Sequence, residues 1–100
     1  MSDPAGTDGS TPVVRDVEIV NKKGLHARAS AKFVQTAEQF DAAINVTRGH
    51  ESVGGTSIMG LMMLAAGPGA TIAISARGRQ AGEAVAALSR LVANRFEEDR

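Results

Sequence analysis

The segment Gly24-Leu25-His26-Ala27-Arg28 lies between a run of alternating apolar residues and a run with helical periodicity. An imidazole is neutral and nucleophilic near neutral pH and remains a good leaving group once phosphorylated. The first N–H groups of a helix and its dipole favour a bound anion. The segment therefore predicts a site that holds a phosphoryl group on His26, with Arg28 supplying a planar fork of charged donors.

The energies of such a site favour reversible transfer over tight binding. A helix terminus contributes about 0.3–1 kcal/mol to an exposed anion, and a hydrogen bond to a charged group about 1.5–3 kcal/mol. The simpler interpretation is that His26 is an ordinary loop residue, because short histidine motifs often match by chance.

Periodicity predicts the elements that must position this histidine. Alternation predicts four strands and helical spacing predicts three helices, in the order strand 13–20, helix from His26 to Asp41, strand 42–48, strand 51–53, helix 58–66, strand 71–76 and helix 81–96. The middle strands form a hairpin at Arg48-Gly49-His50, and Thr56 or Ser57 caps the second helix. This order predicts an α+β domain with helices on one face of an antiparallel sheet.

Composition limits the classes of function. Eleven basic and eleven acidic residues cancel, so no long-range field favours nucleic acid or an anionic membrane as partner. The chain has no apolar run long enough to span a bilayer. It has no cysteine and no residues at metal-ligand spacing, and we predict that it binds neither a metal nor a cofactor. We predict that residues 1–12 form a disordered leader and that residues 13–97 form a single domain. We expect the protein to be a cytoplasmic monomer.

Two segments resemble a known family. Residues 24–34 (GLHARASAKFV) and 55–64 (GTSIMGLMML) are similar to HPr, the histidine-containing phosphocarrier family of the bacterial phosphotransferase system, and 31 residues separate His26 from Ser57 as in that family. The resemblance covers about Val13 to Phe96 and implies an open-faced β-sandwich of four strands under three helices.

The resemblance also implies roles and partners. The histidine matched by His26 takes a phosphoryl group from enzyme I through Nδ1 and passes it to a histidine of an enzyme IIA. The resemblance implies that Arg28 is the phosphate-stabilising arginine. It also implies that Ser57 is the serine that, in part of the family, an HPr kinase/phosphorylase modifies. A family member of this kind is a carrier and not an independent catalyst.

Some residues depart from the family pattern. Many members have proline where Ala29 stands, and Gln35 and Glu38 replace basic residues of the first helix in sugar-transport members. The variant Ala29-Ser30 with a methionine-rich second helix resembles the alphaproteobacterial form, in which the system is usually regulatory.

The second helix supplies a docking surface in this interpretation. A two-turn helix cannot bury its whole circumference, so Met59 and Met63 are predicted to be exposed, and methionine suits a surface that meets several partners. Ile58 joins them in the predicted partner-binding set, although Ile58, Leu61, Met62 and Leu64 are also expected to cover the sheet. Ala29 and Ser30 complete that set.

Two further interpretations concern the serine and the whole chain. A phosphate on Ser57 would lie at a helix start, where the fold tolerates it, while the simpler reading of Ser57 is an N-cap alone. A small nucleic-acid-binding or ligand-binding regulatory module is the alternative for the chain, although it shows no clear basic stripe and no paired carboxylates beside a second histidine.

Overall fold

The computed structural model describes residues 11–98, so most of the predicted leader lies outside the described residues. The elements are β1 (Val13–Glu18), α1 (Ala27–Ala37), β2 (Ala43–Arg48), β3 (Glu51–Gly54), α2 (Ile58–Met63), β4 (Thr71–Arg77) and α3 (Ala81–Ala93). Within the described residues, no helix has the length and apolarity needed to cross a membrane.

The four strands form one antiparallel sheet in the order β1-β4-β2-β3. Val46 lies opposite Ile74 on one side and Val53 on the other, and Val17 lies opposite Ile72. Ile72, Ile74 and Val46 are fully buried, whereas their sequence neighbours are exposed or half-buried. The alternation therefore places one face of the sheet in the core, and the predicted open-faced sandwich is confirmed.

The long helices cover that face through the apolar positions that the sequence predicts. In α1 the buried stripe includes Ala29, Phe33 and Ala37, and in α3 it includes Val85 and Leu88. Helix α1 ends at Ala37 and not at Asp41 as predicted. It ends early because Gln39 and Phe40 donate to the carbonyls three residues before them, which tightens the chain toward β2.

Helix α2 is also shorter than predicted and ends at Met63. Ala65 has a positive φ of 53°, and the Arg48 guanidinium donates to the carbonyls of Leu64 at 3.0 Å and Ala65 at 3.1 Å. Arg48 thus satisfies carbonyls that a helix end leaves without partners.

Gly60 has a packing role in α2 that helix propensity does not reveal. A Cβ at this position would lie 2.9 Å from Ser57 Oγ and 3.0 Å from Val53 Cβ. The absence of a side chain therefore allows α2 to approach β3 and keep its capping serine.

Helix α3 ends at Ala93, before Phe96, which the sequence places on the apolar stripe of the same helix. Arg95, Phe96 and Glu97 instead form one tight turn with φ values of 58°, 56° and 64°. Phe96 is fully buried in spite of the break. The turn thus brings an aromatic ring into the core and redirects the chain toward the start of α1.

Candidate functional site

His26 is the N-cap residue of α1, with extended backbone angles of φ −74° and ψ 179°. Ser30 donates the first intrahelical hydrogen bond to its carbonyl at 2.8 Å. An N-cap side chain commonly accepts from the second or third N–H of its helix, but the imidazole does not. The N–H groups of Ala27, Arg28 and Ala29 therefore have neither an intrahelical acceptor nor a side-chain cap, and those of the exposed Ala27 and Arg28 form a donor set suited to an anion.

The loop that holds His26 depends on Gly24. Gly24 has a φ of +63°, and a Cβ on it would lie 2.2 Å from the Ala66 carbonyl oxygen. The next residue, Leu25, donates its N–H to that same oxygen at 3.0 Å, and His26 donates to the Gly24 carbonyl at 2.9 Å. The glycine thus permits close contact between the His26 loop and the chain that follows α2.

Cationic side chains share a surface depression with the imidazole. Lys22, Lys23 and Arg28 line one open depression together with His26, Ala27 and Glu98. The sequence pattern predicts Arg28 here but treats the two lysines only as turn residues. Three cations next to an uncapped helix start favour an anionic group on the imidazole.

Glu98 contacts the ring at Nε2 and is a residue of this site that the sequence pattern does not predict. Its Oε2 atom is 2.5 Å from His26 Nε2, and 72 residues separate the two in sequence. Asn21, which is fully buried, donates from Nδ2 to the Gly24 carbonyl at 2.9 Å and to Glu98 Oε1 at 3.4 Å. Periodicity relates only near neighbours, so no local pattern reveals this contact.

The pKa of the Glu98 carboxyl is lowered from its ordinary value of 4.5. Burial alone would raise this pKa, but hydrogen bonds from His26 and Asn21 and the positive charges of His26 and Lys23 together outweigh it. Glu98 is therefore a carboxylate at neutral pH and acts only as a hydrogen-bond acceptor.

Ala29 and Ser30 are fully buried, which corrects their place in the predicted partner-binding set. Ser30 Oγ donates to the Leu25 carbonyl at 3.2 Å. Both side chains belong to the packing of α1 beneath the His26 loop. A side chain without accessible surface cannot contact a partner.

The surface of α2 is more apolar than the sequence predicts. Met59 and Met63 are 68% and 73% exposed, which confirms their predicted exposure. Leu61 and Leu64 are buried as expected, but Ile58 and Met62 are about 40% exposed. The expectation that these last two residues belong to the core is therefore wrong, because α2 contacts the rest of the domain through a single narrow face.

Ser57 is exposed at the start of α2, and its Oγ accepts a hydrogen bond from the Gly60 N–H at 2.9 Å. The predicted N-cap is thus confirmed. His50 is exposed in the hairpin turn between β2 and β3. Within residues 11–98, no three side chains of the His, Cys, Asp or Glu type cluster as metal ligands would.

Comparison with known proteins identifies a family profile and sequence relatives that agree with one another. The family profile for the PTS HPr component phosphorylation site matches residues 13–94. Phosphocarrier protein HPr of Neisseria meningitidis is 50% identical over 84 residues, which cover 84% of this chain and 94% of the relative. Phosphocarrier protein HPr of Cupriavidus necator is likewise 50% identical over 84 residues, with the same coverage.

A solved structure shows the same fold. The crystal structure of HPr-C-His from Thermoanaerobacter tengcongensis superposes with a TM-score of 0.84 at 41% identity, covering 88% of this chain and 99% of that one. Sequence and fold agree over nearly the full length of these relatives. The chain therefore belongs to the HPr family, the phosphocarrier proteins of the phosphotransferase system.

Proposed function

We propose that His26 accepts a phosphoryl group on Nδ1 from phospho-enzyme I and donates it to a histidine of an enzyme IIA, with Arg28 stabilising the phosphate. The observation that carries this proposal is the position of His26. It is an N-cap residue whose ring leaves the first N–H groups of α1 without a side-chain cap, and it lines one depression together with Lys22, Lys23 and Arg28. Members of this family interact generally with enzyme I and enzyme IIA.

The transfer needs no cofactor in this proposal. The Nδ1 lone pair forms a bond to phosphorus while the P–N bond of the donor histidine breaks and its electron pair returns to the donor ring. The phosphoryl oxygens then face the N–H groups of Ala27 and Arg28, and the Arg28 side chain supplies charged donors. Each contact is modest, so the phosphoryl group remains transferable.

The test is phosphorylation by enzyme I and phosphoenolpyruvate. We expect an acid-labile, base-stable phosphate on the wild type and none on His26→Ala. The matched control is His50→Ala, which removes the chain's second histidine from an exposed turn and should label as the wild type does. Label that persists on His26→Ala would refute the assignment.

The exposed side chains Ile58, Met59 and Met63 supply the docking surface in this proposal. Helix α2, which carries them, packs against α1, and the Leu25–Ala66 hydrogen bond joins its end to the His26 loop. Flexible thioether side chains adapt to several partners. An apolar surface also suits a chain of zero formal charge, which has little electrostatic steering.

Ser57 is a regulatory phosphorylation site in this proposal, modified by an HPr kinase/phosphorylase. Its exposed hydroxyl lies one residue before the docking surface, so a phosphate would add about −1.5 to −2 charges beside apolar contacts. Ser57→Asp should stay folded and accept phosphate from enzyme I more slowly than Ser57→Ala. Equal transfer rates for the two variants would contradict this role.

The chain acts as a cytoplasmic monomer in this proposal. Its buried side chains form one continuous cluster within a single copy, and the α2 surface must be free for partners. Light scattering of the purified protein should give a mass near 10.3 kDa. A concentration-independent dimer would contradict the monomer.

A further inference from the structure

The turn after α3 is strained and is held in place at its central residue, Phe96. Three successive non-glycine residues, Arg95 to Glu97, have positive φ, a conformation that is strained for any residue with a Cβ. The buried Phe96 ring anchors the turn in the core, and Lys32 Nζ donates to the Phe96 carbonyl at 2.8 Å. Strained backbone tends to cluster at functional sites, and the residue that follows this turn, Glu98, contacts His26.

The segment positions Glu98 against one ring nitrogen of His26. Oε2 lies 2.5 Å from Nε2, while Oε1 is within 3.4 Å of the buried Asn21 amide. The charged groups that face this carboxylate are Lys22 and Lys23 from the turn before His26 and Arg28 from α1. Glu97, one residue earlier, points away and is exposed near Lys32.

We propose that Glu98 is a positioning residue for phosphoryl transfer: its carboxylate accepts the Nε2–H of His26 and thereby fixes the tautomer whose lone pair is on Nδ1. This inference rests on the proposed function of His26. In a neutral imidazole one nitrogen donates and the other accepts, so a carboxylate that can only accept assigns the proton to the nitrogen it contacts.

The same contact affects both directions of transfer. When Nδ1 bonds to phosphorus, Nε2 keeps its proton and the ring becomes a cation, whose charge the Glu98 carboxylate balances. When the N–P bond breaks, its electron pair stays on Nδ1 and the ring leaves as a neutral imidazole. No proton needs to move in either step, because Nε2–H remains donated to Glu98 throughout.

The first readout is the tautomer of His26. Nitrogen-15 NMR at alkaline pH, where imidazole is neutral, should show a ring almost wholly protonated at Nε2 in the wild type. Glu98→Ala should shift the ring toward the mixed tautomers of a free histidine. Glu97→Gln is the matched control, since it removes the adjacent exposed carboxylate, and it should leave the tautomer unchanged.

The second readout is the rate of phosphorylation by enzyme I. Removing the carboxylate partner of a metal-bound histidine typically costs about 10–100-fold, and for this part-exposed contact without a metal we expect a smaller fall, about three- to tenfold, in kcat for Glu98→Ala. KM should not change, because Glu98 lies outside the α2 docking surface. Glu98→Gln, which keeps an acceptor oxygen without the charge, should recover part of the rate.

The outcomes separate this inference from the function on which it depends. Wild-type kinetics and an unchanged tautomer in folded Glu98→Ala, with labelling still abolished in His26→Ala, would overturn the positioning role and leave the phosphocarrier assignment intact. Label on His26→Ala would instead overturn the assignment itself. Circular dichroism of each variant identifies any loss that arises from unfolding.

Discussion

In the proposed function, phosphoryl transfer through His26 depends on which nitrogen of the ring is free to react. The structure brings three kinds of group to that one side chain: uncapped N–H donors, cations and a carboxylate. The donors and cations favour a phosphoryl group, while Glu98 occupies the Nε2 side. The two ring nitrogens of His26 therefore have different roles in this proposal: Nδ1 bonds to the phosphoryl group and Nε2 contacts Glu98.

The lowered pKa of Glu98 predicts a pH-dependent contribution to stability. A carboxyl whose pKa is lower in the folded state stabilises the fold above its ordinary pKa of 4.5 and loses that contribution as the pH falls through the folded-state value. Wild type should therefore be more stable than Glu98→Gln at neutral pH, and the difference should vanish in acid.

The measurement is the free energy of unfolding in urea across a pH series. Repeating the comparison in a His26→Ala background removes the principal partner of Glu98, and the neutral-pH difference should shrink there. A difference that is independent of pH would contradict an ionised Glu98 in the native contact.

At the scale of elements, the site is built from the ends of helices and not from their interiors. His26 begins α1, the chain after α2 supports the His26 loop, and the turn after α3 delivers Glu98. Periodicity predicts the interiors of these helices and the alternation of the strands, because burial repeats along each element. It does not predict where α1, α2 and α3 end, because backbone contacts from distant segments set those ends.

Among the residues that join elements, Gly24 is the one whose substitution should most affect stability and phosphorylation. Gly24→Ala places a Cβ at a positive φ and 2.2 Å from the Ala66 oxygen, so the loop must move. We expect a loss of more than about 2 kcal/mol in the free energy of unfolding, together with slower phosphorylation. Denaturant unfolding measures the first effect and the enzyme I assay the second.

The matched control is Gly49→Ala. Gly49 has a similar φ of +61°, but a Cβ there would meet no atom within 4 Å. Its loss should be limited to the conformational cost of a left-handed alanine, about 1–2 kcal/mol, with unchanged phosphorylation. Equal losses for the two variants would show that close contact with Ala66 is not what requires glycine at position 24.

The exposed methionines of α2 give a second prediction at this scale. Met59→Gln and Met63→Gln keep the side-chain length but remove apolar contact, and each should raise KM for enzyme I about three- to tenfold with little change in stability. Val14→Gln, on the solvent-facing side of the sheet, is the control and should leave KM unchanged. A rise in KM for all three variants would contradict a specific docking surface.

At the scale of the whole molecule, one sheet face and three helices form a small core, and the proposed phosphoryl acceptor, His26, lies at its surface. The sequence is sufficient to predict the antiparallel sheet, the order of elements, and His26, Arg28 and Ser57 as candidates. It does not reveal the burial of Ala29 and Ser30, which depends on tertiary packing around α1, or the contact between Glu98 and His26, which lie 72 positions apart in the chain.

The central claim is that this chain carries a phosphoryl group and does not merely receive one. The most direct test is to purify the protein phosphorylated on His26 with a radioactive label and mix it with an enzyme IIA in the absence of enzyme I. The label should move to a histidine of the enzyme IIA, and the chain should return to its unmodified mass. Label that stays on the chain, or leaves only as inorganic phosphate, would contradict a carrier.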